Sequence, residues 1–185
     1  MSNYYFVPDV SMAGINKTLR DITQGELYFR PIVFLCIGTD RCTGDSLGPI
    51  IGYKLNKKID KELLRERDIH IYGTLKSPVH ALNLNLIIDE IAIKYANAYI
   101  IAIDASLGRS DRIGQVSIGK GPLTPGLGVG KTLPSVGDLH ITGIVNSQHI
   151  SSTHLTTTRL CHIMEMADYI VEAIISMLFC SVEID

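Results

Sequence analysis

Ile32-Val33-Phe34-Leu35-Cys36-Ile37-Gly38 is the stretch that decides the fold. A continuous apolar run rich in β-branched residues and closed by glycine reads as a strand buried on both faces, the habit of parallel sheets. It continues through Thr39-Asp40-Arg41-Cys42-Thr43-Gly44 to Asp45-Ser46-Leu47-Gly48-Pro49. A second run, Ala98-Tyr99-Ile100-Ile101-Ala102-Ile103, ends in Asp104-Ala105-Ser106. In open α/β sheets, ligands bind beyond the carboxyl ends of strands, where strand order reverses. Asp45 and Asp104 both fall at such ends. If the two strands are neighbours, their carboxylates share one crevice.

Outward from these runs, Leu47, Ile50, Ile51, Leu55 and Ile59 recur at helical spacing, with Pro49 suited to the first turn. Residues 69–73 read as a strand. Ser77-Pro78 pairs an N-cap with a proline just inside a helix, whose apolar residues continue to Ile93. The strand that begins at Ala98 is expected to end at Asp104. Gln115-Val116-Ser117-Ile118-Gly119 alternates, as a strand on the sheet edge or in a hairpin does. The Gly- and Pro-rich stretch from Gly121 to Gly137 must be a shaped loop, and 140–146 is a further strand. A helix from about Thr153 to Phe179 carries its core stripe on Leu160, Ile163, Met164, Ala167, Ile170, Val171, Ile174 and Leu178.

This alternation predicts a three-layer α-β-α sandwich on a mostly parallel sheet. The strands 69–73, 32–37, 98–104 and 140–146 are expected side by side in that order. Residues 1–30 read as an N-terminal arm with one short helix around Met12 to Ile22, open to use in a homo-oligomer. Residues 31–185 read as a single α/β domain.

The chain has 185 residues, enough to bury a full core. A net charge of −2 points to neither nucleic acid nor an anionic membrane as partner. Its start, Met1-Ser2-Asn3-Tyr4-Tyr5, lacks the basic and apolar regions of a signal peptide. The apolar stretch Ile170 to Phe179 is too short to span a bilayer and is interrupted by Glu172 and Ser176. The expected location is therefore the cytoplasm. Cys36, Cys42, Cys161 and Cys180 have no C-x-x-C spacing and no histidine at zinc-ligand offsets. Cys36, Cys161 and Cys180 read as buried free thiols, whereas Cys42 sits in the loop before Asp45 with no base nearby in sequence.

The segment Cys36–Pro49 resembles the first signature of the YyaC-type sporulation proteins of endospore-forming bacteria. Ile103–Gly108 and Gly121–Lys131 resemble the second and third, and Asp138–Asn146 with Thr157-Thr158-Arg159-Leu160 extends the likeness. It covers about Pro31 to the C-terminus. That family is similar in turn to the spore germination protease and, more distantly, to hydrogenase-maturation endopeptidases. The resemblance implies a phosphorylase/hydrolase-like sandwich acting in the forespore or mother cell during sporulation or spore germination. The germination protease carries one aspartate in a T-x-D-x-L-G-P setting and another in a D-A-L setting. Asp45 and Asp104 match those catalytic positions. Maturation endopeptidases bind metal at the corresponding points and add a histidine from a later loop. Here that loop, Gly121–Gly137, has no histidine, which departs from a nickel-type site.

Peptide hydrolysis by a carboxylate pair needs unequal protonation, and two carboxylates in one low-dielectric crevice supply it. The expected reaction is endopeptidase hydrolysis of a polypeptide substrate by Asp45 and Asp104, with no metal and no cofactor. Each aspartate could instead cap a helix or turn; Asp45, just ahead of Ser46-Leu47-Gly48-Pro49, suits an N-cap. Thr39 and Asp40 in the first loop, His80, and the loop glycines Gly128 and Gly130 complete the expected substrate-contacting set. Asp40 also fits a turn residue that bonds its own backbone. His80, expected in the first turn of a helix, either lines the pocket, joins the aspartates around a metal, or is merely solvated. Pro125-Gly126-Leu127-Gly128-Val129-Gly130-Lys131-Thr132 resembles a phosphate loop with proline for its first glycine, but Pro134 and Gly137 leave no room for the helix such a loop opens. Its backbone amides suit an extended peptide or an oxyanion. Two other functions stay open: a metal-assisted maturation-type peptidase, and a non-enzymatic protein that binds a peptide or partner in the same crevice.

Overall fold

The computed structural model describes residues 4–6, 12–23, 26–126, 133–147 and 158–179. In chain order these form β1 (Tyr4–Phe6), α1 (Met12–Thr23), β2 (Ile32–Cys36), α2 (Leu47–Lys58), α3 (Lys61–Glu66), β3 (Ile69–Tyr72), α4 (Leu84–Lys94), β4 (Tyr99–Gly108), β5 (Val116–Lys120), β6 (Leu139–Ser147) and α5 (Leu160–Phe179). The strands make one six-stranded sheet in the order β1-β5-β6-β4-β2-β3. Neighbours from β3 through β2 and β4 to β6 are parallel, and β5 is antiparallel to both β6 and β1. The order expected for the four parallel strands is the one observed, and the α/β sandwich holds. From β2 the chain crosses to β3 on one side, then to β4 on the other. The order therefore reverses between β2 and β4, the position where such sheets bind ligands.

Both faces of the sheet are covered. Ile32, Phe34, Cys36, Ile101, Ile103, Leu139 and Ile141 pack with α1, α2 and α5 on one face. Val33, Leu35, Ile37 and Ala102 pack on the other with Val79, Leu84, Ile91 and Val136, against which Leu123 and Leu133 also lie. Burial on both faces is why β2 carries no polar residue. Each large apolar side chain removed from water here contributes about 1.5–3 kcal/mol.

Several boundaries differ from the sequence reading, each for a physical reason. The helix expected from Pro78 begins at Leu84. Val79 makes an isolated parallel bridge to Ile37, which draws the chain after Pro78 into the sheet. A turn then follows, in which Asn83 Oδ1 accepts the His80 N–H and Asn83 Nδ2 donates to the Pro78 carbonyl. β4 continues past Asp104 to Gly108 because β6 pairs with it as far as Ser147. β5 is not an edge strand, since β1 covers its outer side, but it pairs antiparallel with the next strand, β6, as the hairpin alternative expects. The segment read as an N-terminal arm supplies β1 and α1, and Ile15, Leu19, Ile22 and Leu27 enter the core. α3, unforeseen, is a short helix whose N-cap Asp60 accepts the Glu62 N–H. α5 begins at Leu160, residues 153–157 lying outside the described part of the chain. Cys36 is buried as expected, Cys42 is half-buried, and Cys161, expected inside, is exposed; Cys180 lies outside the described residues.

The Gly- and Pro-rich stretch is tied to the sheet at its base. Gly121 N–H donates to the Asp138 carbonyl, and Leu123 and Val136 exchange both backbone hydrogen bonds. Asp138 Oδ2 accepts the Ile100 N–H at 2.8 Å and faces Arg30 Nη2 at 3.5 Å. Asp138→Ala leaves that amide without its carboxylate, so the expected loss is about 1–2 kcal/mol. Urea unfolding tests this: the midpoint falls while the slope stays unchanged.

Candidate active site

The first carboxylate is placed by a loop that folds back on its own strand. Ile37 N–H donates to the Ile103 carbonyl at 2.7 Å, carrying the β2–β4 ladder one residue beyond β2. Gly38 then turns with φ +134°, a conformation that favours glycine. A Cβ there would lie 2.1 Å from the Asp45 carbonyl oxygen, and Thr39 N–H donates to that oxygen at 3.0 Å. Only glycine lets the backbone of residue 45 come down onto the strand end. The turn Thr43–Asp45 is closed by Asp45 N–H to the Cys42 carbonyl and by Ser46 Oγ to the Thr43 carbonyl at 2.6 Å. α2 follows with Ser46 as its N-cap residue, so Asp45 does not cap that helix. It sits one residue ahead of the cap, where unsatisfied helix N–H groups favour negative charge.

The second carboxylate comes from the neighbouring strand. Asp104 lies on β4 directly opposite Thr142 of β6, with only 7% of its surface exposed. Ile103 belongs to the α2/α5 core and Ala102 to the opposite one. Strand alternation therefore turns Asp104 to the face of Val33, Leu35 and Ala102. Its Oδ1 accepts the Ala105 N–H at 2.8 Å. Burial, and secondarily the charge of Asp45, push the Asp104 carboxyl well above the usual carboxylate range, against the weaker opposing effect of the Ala105 N–H. The arrangement is a buried carboxyl that holds its proton more tightly than usual, beside a second carboxylate. This asymmetry is what a carboxylate pair needs for acid–base work.

The other residues expected at the site divide. Thr39 is half-buried beside Gly38, and its Oγ1 accepts the Arg41 N–H at 3.3 Å. The side chain that bonds this turn's backbone is thus Thr39's, while Asp40 is exposed. His80 follows Val79, whose carbonyl accepts the Gly38 N–H at 2.8 Å, so the strand pairing brings His80 to the same loop. It lies in the turn before α4 and not within the helix; its Nδ1 accepts the Leu82 N–H at 3.3 Å. Among the described residues no three His, Cys, Asp or Glu side chains gather as a metal site, so His80 does not complete one with the aspartates. Gly128 and Gly130 lie outside the described residues. The sequence reading places His140 and Thr142 only within the strand 140–146 and gives neither a role at the site. A polar position between Ile141 and Gly143, opposite an aspartate, was the available signal for Thr142. His140 Nδ1 donates to the Gly121 carbonyl at 3.0 Å, fixing the loop over this face.

Two substitutions test this geometry. Gly38→Ala should destabilise by roughly 2–4 kcal/mol, because it adds strain at a positive φ and a clash with backbone; chemical denaturation measures it. Burial raises the pKa of Asp104 in the folded state above that of the unfolded chain, which releases this proton near about pH 4. The native state then binds more protons than the unfolded one, so stability falls as pH rises through this window. Asp104→Asn should flatten that dependence and raise stability at pH 7 by roughly 1–3 kcal/mol. Unfolding curves across pH 4–8 for both proteins check the sign.

No helix among the described residues is long and apolar enough to cross a membrane. Comparison with known proteins adds kinship. The chain is 50% identical over 175 residues to the uncharacterized protein YyaC of Bacillus subtilis (strain 168), covering 94% of this chain and 82% of that one. Residues 8–173, which span the loop of Asp45, the strand of Asp104 and most of α5, match the model of a protein family of unknown function, DUF1256. The chain belongs to that family.

Proposed function

We propose that this protein is an endopeptidase of sporulating or germinating cells, acting in the cytoplasm of the forespore or mother cell. Its proposed catalytic residues are Asp45 and Asp104. The observation that carries the reading is the buried, proton-holding Asp104 beside the charged Asp45, at the point where strand order reverses. The sporulation setting rests on the signature resemblance.

In the proposed reaction, the Asp45 carboxylate takes a proton from a water molecule as its oxygen attacks the scissile carbonyl carbon. Asp104 gives its proton to the carbonyl oxygen, and a tetrahedral diol forms. Collapse breaks the C–N bond. Asp45 passes its proton to the leaving nitrogen, and Asp104 recovers one from the diol hydroxyl as the carbonyl re-forms. The pair ends as it began. No step needs a third titratable group.

The test is incubation of the purified protein with a polypeptide extract of spores, reading new amino termini by mass spectrometry. Wild type should produce discrete cuts. Asp45→Asn and Asp104→Asn should each fold and lose at least about a hundredfold in rate, the usual contribution of a general acid or base. The pH profile should be bell-shaped, its alkaline limb set by loss of the Asp104 proton and so displaced above the ordinary carboxylate range. Equal cleavage by wild type and both variants would refute the assignment. No cleavage by any of them, with an intact role in the cell for both variants, would make the crevice a binding site.

A further inference from the structure

Three strands turn polar at one level of the sheet. Asp104 on β4 pairs with Thr142 on β6, and Thr142 pairs with Ser117 on β5. All three point to the same face. Val116 and Ile118 flank Ser117, and Ile141 flanks Thr142, all within the opposite core; Gly143 backs onto Leu47 and Met166 there. The three side chains are 7%, 9% and 5% exposed. Buried hydroxyls ordinarily find a partner, and one without a partner needs an explanation. Ser46, Ser106, Ser110 and Thr124 all hydrogen-bond within the protein. Among the described residues, the hydroxyls of Thr142 and Ser117 have no such bond.

We propose that this row is the floor of the substrate site: Thr142 Oγ1 donates to the scissile carbonyl oxygen beside Asp104, and Ser117 holds the neighbouring peptide group. The inference rests on the peptidase reading above and adds the direction of the bound chain. Adjacent strands are about 4.8 Å apart, so the Thr142 hydroxyl can reach an oxygen that the Asp104 proton also reaches. When Asp104 has given its proton away, Thr142 remains as a fixed donor to the same oxygen, the role of an oxyanion-hole group. Ser117 lies one further strand spacing out. An extended polypeptide held by both therefore crosses β4, β6 and β5, away from β3. Its backbone carbonyls are what the two hydroxyls recognise, so side-chain identity matters less along this row than main-chain exposure. The substrate class is an unfolded or extended segment.

Thr142→Val removes the hydroxyl at nearly constant volume, Thr142→Ser keeps it, and Ser117→Ala shortens the row. Each is compared with wild type in the full chain, on a synthetic peptide spanning the site most rapidly cut in spore extract. Thr142→Val should lower kcat about a hundredfold, with Thr142→Ser within a few-fold of wild type. Ser117→Ala should raise KM while leaving kcat nearly unchanged. Because neither hydroxyl is bonded among the described residues, Tm should hold or rise in Thr142→Val and Ser117→Ala. Wild-type kcat in Thr142→Val, or a fall in Tm matching its loss of rate, overturns the inference while leaving the aspartate pair standing. If wild type cuts nothing in the extract, the peptidase reading and this inference fall together.

Discussion

The parallel pairing of β2 with β4 is the interaction on which the site depends. Ile32 faces Tyr99 and Cys36 faces Ile103, and the Ile37 N–H extends the ladder to the Ile103 carbonyl. Fifty-nine positions separate Asp45 from Asp104 in the chain, and this ladder removes that separation. A parallel pair cannot be joined by a tight turn and needs a long crossover. Here α2, α3, β3 and α4 occupy the interval. The helices cover opposite faces of the sheet, and the chain divides at the ends of β2 and β4, the position where such sheets bind ligands.

Closeness alone would not make two carboxylates unequal. Their backbone settings do. Asp45 ends a turn that lies on glycine and precedes the positive end of α2; Asp104 is on a central strand with most of its surface removed from water. One position favours the charged form and the other penalises it. A buried aspartate whose carboxylate accepts the next residue's N–H is a poor choice for stability. Placing it there is the kind of local inconsistency that function explains better than folding.

Much of this was legible in the residues. The run from Ile32 to Ile37 announced a doubly buried strand, and Thr43-Gly44-Asp45-Ser46-Leu47-Gly48-Pro49 announced a carboxylate held just before a helix. The strand order followed from alternation of strand and helix with short connections. What stayed hidden depended on contacts distant in sequence. Pro78 looked like a helix start because its local cues are those of one; the bridge of Val79 to Ile37, a tertiary pairing, overrode them. The apolar positions of α1 matched a helix but could not show that it would pack into the core. Cys161 belongs to an apolar helix yet is exposed, and so are Leu160 and Met164 of the expected core stripe, whereas Ile163, Ala167, Ile170, Val171, Ile174 and Leu178 are buried as expected; the first turn of α5 lies beyond the part that packs on the sheet.

The sheet itself supplies the last step. One level inward from the aspartate, the same face carries Leu35, Ala102, His140 and Gly119. There the apolar groups close on α4, and His140 is bonded to the Gly121 carbonyl. One level outward the residues are Ile37, Asp104, Thr142 and Ser117. A lone buried carboxylate could be tolerated as an isolated cost against a stability of several kcal/mol. Three adjacent strands changing character at the same register is a different matter, because each choice is made in a separate segment of the chain and none helps the others fold. Packing would be served better by valine or alanine at every one of them. On the proposed reading, this boundary is the place where the core stops and the substrate surface begins.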